Sequence, residues 1–309
     1  MGACSTSDGT QPVPIVVPPD DASTPVEEAG VDAGVDAPGD APPDAPLGPA
    51  NLRVVAANIS SGPALDYAAK ESQRILQGLK PDVALLQEMK VGGNTQGEVD
   101  AFVTTAFGVS YTYYREPDVE IPNGVVSRFP IEIAGRWTDP QVANRSFVYA
   151  KITLPNAPPL WAVSLHLLTS GGKERAAEAS ALVAKIGEVV PAADYLVIGG
   201  DFNTEGRAES CIKTLGTVVQ VPASFPVDNF GNDNTNAPRT KAFDWVLANP
   251  KLSSAHVPVK IGAKSFASGL VFDSRVYEPL SDLPPIQAND SAALNMQHMP
   301  VVRDFHVGP

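Results

Sequence analysis

The sequence predicts an α/β fold in which two packed sheets carry helices on their outer faces. Short, β-rich apolar runs recur from Leu52 onward, and only a few helical patterns separate them. Six of these segments also stop at a residue suited to metal or phosphate chemistry: Asn58, Glu88, His166, Asp201 with Asn203, Asp244 and His298. A sandwich of this kind places its site where polar groups gather at strand ends.

Residues 1–50 are expected to stay outside that fold. They hold nine acids, no Lys or Arg, and ten of the 30 prolines. Runs such as "DAGVDAPGDAPPDAP" follow neither a helical nor a strand period, so they offer no face to bury. The segment reads as an extended acidic tether, and residues 51–309 as the folded domain. Gly2-Ala3-Cys4 followed by this tether is similar to the end of a bacterial lipobox, although the basic and apolar parts of a signal are absent. Either Cys4 is acylated and anchors the domain at the cell envelope, or it is a free thiol in a flexible tail. The other cysteine, Cys211, leaves no spacing for a zinc site or a disulfide framework. No run is long and apolar enough to cross a membrane as a helix.

The elements follow in order. "LRVVAANI" is a buried strand, and "DYAAKESQRILQGLK" a helix that Pro81 ends. "DVALLQE" is the next buried strand; "NGVVSRFPIEIAGRW", "RSFVYAKITL" and "LWAVSLHLL" read as further strands joined by Pro- and Asn-rich turns. "GGKERAAEASALVAKIGEVV" is an amphipathic helix with Ala177, Leu182, Ile186 and Val189 on or near one face. "DYLVIGGDFN", "FDWVLAN" and "MPVVRDF" close the pattern, and no internal repeat is visible.

This ordered set resembles the endonuclease/exonuclease/phosphatase superfamily. The resemblance runs from about Leu52 to Phe305 and rests on Asn58, "LLQE", "NGVVSRFPI", "SLHL", "IGGDFN", "FDWVLAN" and "QHMPVV" in the family's order. "GGDFN" is the most specific; each of the others would be weak alone. The resemblance implies a four-layer α/β/β/α sandwich of two mostly antiparallel sheets. It also implies hydrolysis of phosphate esters by an activated water.

Hard oxygen donors such as Glu88 and Asn58 suit Mg²⁺, for which Mn²⁺ is a possible substitute. By resemblance, Asp201 and His298 handle the attacking water, Asp244 orients His298, Asn203 bonds the scissile phosphate, and His166 donates to a phosphate oxygen. Asn123 and Ser127 lie in a strand that the family uses to line the site. Arg239 and Arg145 have the fork geometry to hold phosphate, although surface ion pairs are the commoner fate for such residues. One departure concerns the residue before His298. Most of the family has an aspartate ligand there; this chain has Gln297, whose amide would hold Mg²⁺ more weakly. Asp290, seven residues earlier, is the acid available to compensate.

Charge narrows the substrate less. The chain carries −13, of which the leader's acids supply nine, leaving about −4 on residues 51–309. That is not the balance of a protein that grips nucleic acid by releasing counterions, although metal ions and a local basic patch can serve instead. Nucleic acid, a lipid head group and a small molecule remain open as substrates of an expected monomer. A non-catalytic binding module on the same fold is the competing class, and the presence of Glu88, His166, Asp201, Asn203 and His298 speaks against it.

Overall fold

The computed structural model describes residues 50–59, 70–294 and 296–308; most of the leader, Cys4 and the start of the first expected helix, Asp66–Ala69, lie outside them. The chain begins with β1 (Ala50–Asn58), α1 (Glu71–Leu79), β2 (Val83–Gln87), α2 (Gln96–Phe107), β3 (Thr112–Arg115) and β4 (Gly124–Ser127). It continues through β5 (Ile131–Trp137), β6 (Phe147–Ile152), β7 (Leu160–His166), α3 (Gly172–Val189), β8 (Tyr195–Asp201), α4 (Ser210–Leu215) and β9 (Asp244–Ala248). The last part adds α5 (Pro250–Ser253), the short strands β10 (His256–Val257), β11 (Val259–Ile261), β12 (Lys264–Phe266) and β13 (Leu270–Val271), and the longer β14 (Val301–Val307).

One sheet runs β10-β14-β1-β2-β4-β3 with β13 also on β14, and the other runs β5-β6-β7-β8-β9. Each holds one parallel pair, β1 with β2 and β7 with β8; the other pairings are antiparallel. The sheets pack face to face, β1 on β8 and β9, β2 on β7 and β8. α1 packs with α2, and α3 with α4. The strand period shows how the layers form. Along β7, Leu160 and Ala162 join the inter-sheet core, whereas Trp161, Val163 and Leu165 join the core beneath α3 and α4. β8 and β9 alternate in the same way, with Val197 and Val246 on the inner side and Ile198 and Trp245 on the outer. β1 is apolar on both faces, as a strand covered on both sides requires. The result is the expected four-layer sandwich.

The run Asn123–Trp137 crosses from one sheet to the other. β4 pairs with β2 and β3, β5 pairs with β6, and Arg128–Pro130 make the passage. Pro130 has no amide to give to a ladder, so the break falls there.

Two glycines let the sheets meet. A Cβ on Gly199 would lie 2.7 Å from Leu85 Cδ1 and 2.8 Å from the Trp245 carbonyl oxygen. Gly200, at φ 138°, would place one 2.0 Å from the Leu165 carbonyl oxygen and 2.7 Å from Gln87 Nε2. In the space so left, Gln87 donates to Ser164 Oγ (2.8 Å), and Ser164 donates to the Leu86 carbonyl (2.8 Å). This buried link joins the sheets one residue before Glu88 and two before His166.

Candidate active site

Register places most of the site. On the parallel pair β1–β2, Asn58 is opposite Gln87, so Glu88 follows at the same sheet end. On β7–β8–β9, His166 is opposite Asp201 and Asp201 opposite Asp244, which sets three polar residues in one row. His298 reaches that row from the segment before β14, held by a bridge to Asn236. Glu88 and Asn203 both lie in the left-handed region, at φ 54° and 51°. At Asn203 that turn lets its amide nitrogen donate to Asp201 Oδ1 (2.9 Å), a local bond that asparagine tolerates better than most residues.

Asp201 is the hub. Its Oδ2 accepts from Asn58 Nδ2 (3.1 Å) and stands 3.3 Å from His166 Nε2 and 3.4 Å from His298 Nε2. Asn58 Nδ2 also lies 3.1 Å from Glu88 Oε1, and His298 Nδ1 is 2.9 Å from Asp244 Oδ2. Asn58, His166, Asp201, Asn203, Asp244 and His298 are all buried; Glu88 is half-buried. Burial drives the two imidazoles apart because their neighbours differ. His166 is pushed down to about 3 by burial, with Arg145 and His298 adding to the effect and Asp201 opposing it. For His298 burial also acts downward, but Asp244 and Asp201, the bond to Asp244, and Glu88 outweigh it and bring it to about 9. At neutral pH the pair is therefore one neutral imidazole and one imidazolium.

Three carboxylates converge here, and His298 offsets only one of them. Asp244 Oδ1 is buried with no hydrogen-bond partner. One ligand atom each from Asp201, Asp244 and His298 lie within 4.8 Å of one another. This excess of hard oxygen donors fits a divalent cation. Asp244 and His298 already spend an atom each on their mutual bond, and Glu88, only half-buried, offers its carboxylate from the end of β2.

Other candidates fall elsewhere. Ser127 pairs with Val83, at the far end of β2 from Glu88, and its Oγ bonds the backbone of Phe129. It takes no part in the site, because β4 runs antiparallel to β2 and carries it away. Asn123 is at the correct end but is fully buried, donating to the Ser146 carbonyl (2.7 Å). Arg239 is no phosphate clamp: its guanidinium is committed to Asp273 (2.8 Å), Asp228 (2.9 Å) and the carbonyls of Asn232 and Asn234. Asp290 cannot compensate at a metal, since Arg74 (2.5 Å) and the Gln287 amide (2.9 Å) hold its carboxylate. Gln297 is exposed, with its carbonyl accepting from Ala237; it stands outside the buried cluster. Asn203 gives its side-chain amide to the Leu167 carbonyl (3.0 Å). Arg145, expected at the surface, is only 5% exposed and lies behind the site. Gln87 and Ser164 were not singled out from the sequence, although both sit within the motifs "LLQE" and "SLHL".

A model of the endonuclease/exonuclease/phosphatase family matches residues 55–268, and the chain belongs to that family. No curated protein matches the sequence. Among solved structures, humanized D. rerio TDP2 is similar at 18% identity with a TM-score of 0.51, over 83% of this chain and 99% of that one. An endonuclease/exonuclease/phosphatase from Beutenbergia cavernae is 17% identical with a TM-score of 0.56, over 84% and 72% of the two chains. One from Bacteroides vulgatus is 17% identical with a TM-score of 0.55, over 84% and 99%. At these identities the likeness is one of fold.

Proposed function

We propose that this protein hydrolyses phosphodiesters with a divalent cation, Mg²⁺ or in its place Mn²⁺. The observation that carries the reading is His298 set between two carboxylates, 2.9 Å from Asp244 and 3.4 Å from Asp201. Asp201 Oδ2 is the acceptor for a proton of the attacking water, and His298, as an imidazolium, keeps its own proton on Nε2 facing that oxygen. Asp244 holds the imidazole ring and its charge. His166, neutral and the register partner of Asp201 on β7, would donate to a phosphoryl oxygen as negative charge builds there. Glu88 and Asn58 would hold the cation, which when bound polarises the phosphoryl oxygen and stabilises the leaving oxygen.

The test is turnover of bis-(p-nitrophenyl) phosphate after exhaustive chelation and again with Mg²⁺ restored. Activity only in the second case is expected; full activity in both would remove the metal from the mechanism. A panel of plasmid DNA, RNA, sphingomyelin, inositol phosphates and nucleotides then assigns the substrate among nucleic acid, lipid head group and small molecule. We also propose an envelope location with a lipid on Cys4. Gly2-Ala3-Cys4 before a polar tether supports it. Mass spectrometry of the protein from its native gene should find the acyl group, and an unmodified Cys4 would overturn this.

A further inference from the structure

Behind His166 the chain leaves β7 as a strap, residues 166–169, whose backbone groups are held by buried side chains. Arg145 donates from Nε to the His166 carbonyl (2.6 Å) and from Nη2 to the Leu167 carbonyl (3.1 Å). Its third nitrogen, Nη1, bonds Asn144 Oδ1 (3.1 Å). The Leu167 carbonyl accepts a second bond, from Asn203 Nδ2 (3.0 Å). The Leu167 amide meanwhile donates to the Asp201 carbonyl (2.9 Å). The backbone of Leu167 thus touches the segments that carry His166, Asp201 and Asn203, and Arg145 holds it from the protein side.

We propose that Arg145 is a positioning residue, aiming His166 and Asn203 at the substrate phosphate through the carbonyl oxygens of His166 and Leu167. The inference rests on the hydrolase reading above. A guanidinium suits the task because its fixed fork spans two consecutive carbonyls, which a lysine ammonium cannot match in geometry. Arg145 is also unsuited to touch substrate: it is 5% exposed, and each of its three nitrogens already has an acceptor. The next stretch of strap supplies a control. Arg175 donates from Nη1 to the carbonyls of Leu168 (3.1 Å) and Thr169 (3.2 Å) and pairs with Glu209. It holds the same strap with the same chemistry, but its carbonyls do not receive a bond from Asn203 or belong to His166.

Arg145→Met, Arg145→Lys and Arg175→Met are compared with wild type by steady-state kinetics on bis-(p-nitrophenyl) phosphate with Mg²⁺ and by thermal melts. Arg145→Met is expected to lower kcat by about a hundredfold, the scale of a misplacement near 1 Å, with KM within about twofold. Arg145→Lys should recover part of kcat, and free guanidinium ion should rescue Arg145→Met. Arg175→Met should lower Tm and leave kcat within about twofold. A rise in KM matching the loss in kcat would show Arg145 to be a phosphate ligand. A fall in Tm with kcat unchanged would show a purely structural role. Either result overturns the proposal.

Wild-type protein gives a readout without catalysis. In ¹⁵N NMR the Arg145 Nε–H should exchange slowly and stay in place on titration with inorganic phosphate, while the Asn203 side-chain amide signals shift. Movement of the Arg145 signal with phosphate would again overturn the proposal. If wild type turns over no phosphodiester, the hydrolase reading fails separately, and this titration still decides the role of Arg145.

Discussion

Asp201 and Asp244 are register partners on β8 and β9, and the His298 ring spans their carboxylates with one nitrogen toward each. Two carboxylates side by side on a sheet would repel one another; a shared imidazolium turns that liability into a pair whose protonation is set by position. Gly199 and Gly200 come immediately before Asp201, so the residues that let the sheets approach also deliver the hub of the site.

Removing either partner should therefore change the same step. Asp201→Ala or His298→Ala is expected to lower kcat by at least about a hundredfold, the scale for losing a positioned acid–base group. Asp244→Asn keeps the shape and removes the charge that raises His298. In metal-free protein the His298 pKa, read by NMR, should fall from about 9 toward the ordinary histidine range. If it stays near 9 in Asp244→Asn, Asp201 alone sustains the imidazolium and Asp244 is a bystander.

For the metal, Glu88→Gln should raise the Mg²⁺ concentration for half-maximal rate by about tenfold, corresponding to roughly 1.4 kcal/mol of lost interaction. Gln297→Asp should shift the curve the other way by less, about two- to threefold, because the residue is exposed and water screens its new charge. Activation curves for the two variants against wild type decide this. A larger shift from position 297 than from Glu88 would reverse the assignment of the principal ligand.

Much of the site was legible in the sequence because each residue ends a strand whose apolar run is itself conspicuous. "DVALLQE" announces both a buried strand and the carboxylate at its end, and "YLVIGGDFN" does the same for Asp201 and Asn203. What was not legible depends on long-range partners. The sequence says nothing of which acid Arg239 or Arg74 will meet, and both found buried carboxylates away from the site. Arg145 looked like a surface residue because its acceptors are backbone carbonyls more than twenty residues away. Ser127 was misplaced by sheet direction, which residue spacing does not encode. α2 went unread although Thr95 and Glu98 form a capping box and Val99, Phe102, Val103 and Ala106 fall at helical spacing.

Gly200→Ala tests the close approach of the sheets. A methyl there would meet the Leu165 carbonyl and Gln87 at impossible distances and would impose a positive φ on an L-residue. Overpacking costs about 1–3 kcal/mol and the left-handed backbone roughly 1–2 more, so Tm should fall by roughly 5–20 °C. A melt within about 2 °C of wild type would mean that the sheets have slack at this point.

The last prediction concerns a carboxyl group that the chemistry does not use. Glu116 is fully buried and accepts from the amides of Asn123 (2.8 Å) and Ser146 (3.2 Å), bracing the two segments behind β4 and β6; its second oxygen has no partner. Burial raises its pKa from 4.5 to about 7, against the opposing pull of those bonds and of Arg136. Below pH 4.5 both folded and unfolded chains carry the proton, and the group is neutral to stability. Between pH 4.5 and about 7 the unfolded chain has released it while the folded one still holds it, so stability falls as pH rises. Above about pH 7 both are ionised and the loss is complete, on the order of 3 kcal/mol for a shift of this size. Glu116→Gln keeps an oxygen acceptor for both amides and has no proton to lose. Its Tm should match wild type near pH 4 and exceed it by several degrees at pH 8, with the difference opening across the window between. A constant difference at every pH would show that Glu116 titrates alike in the folded and unfolded chain, and that its burial costs nothing through charge.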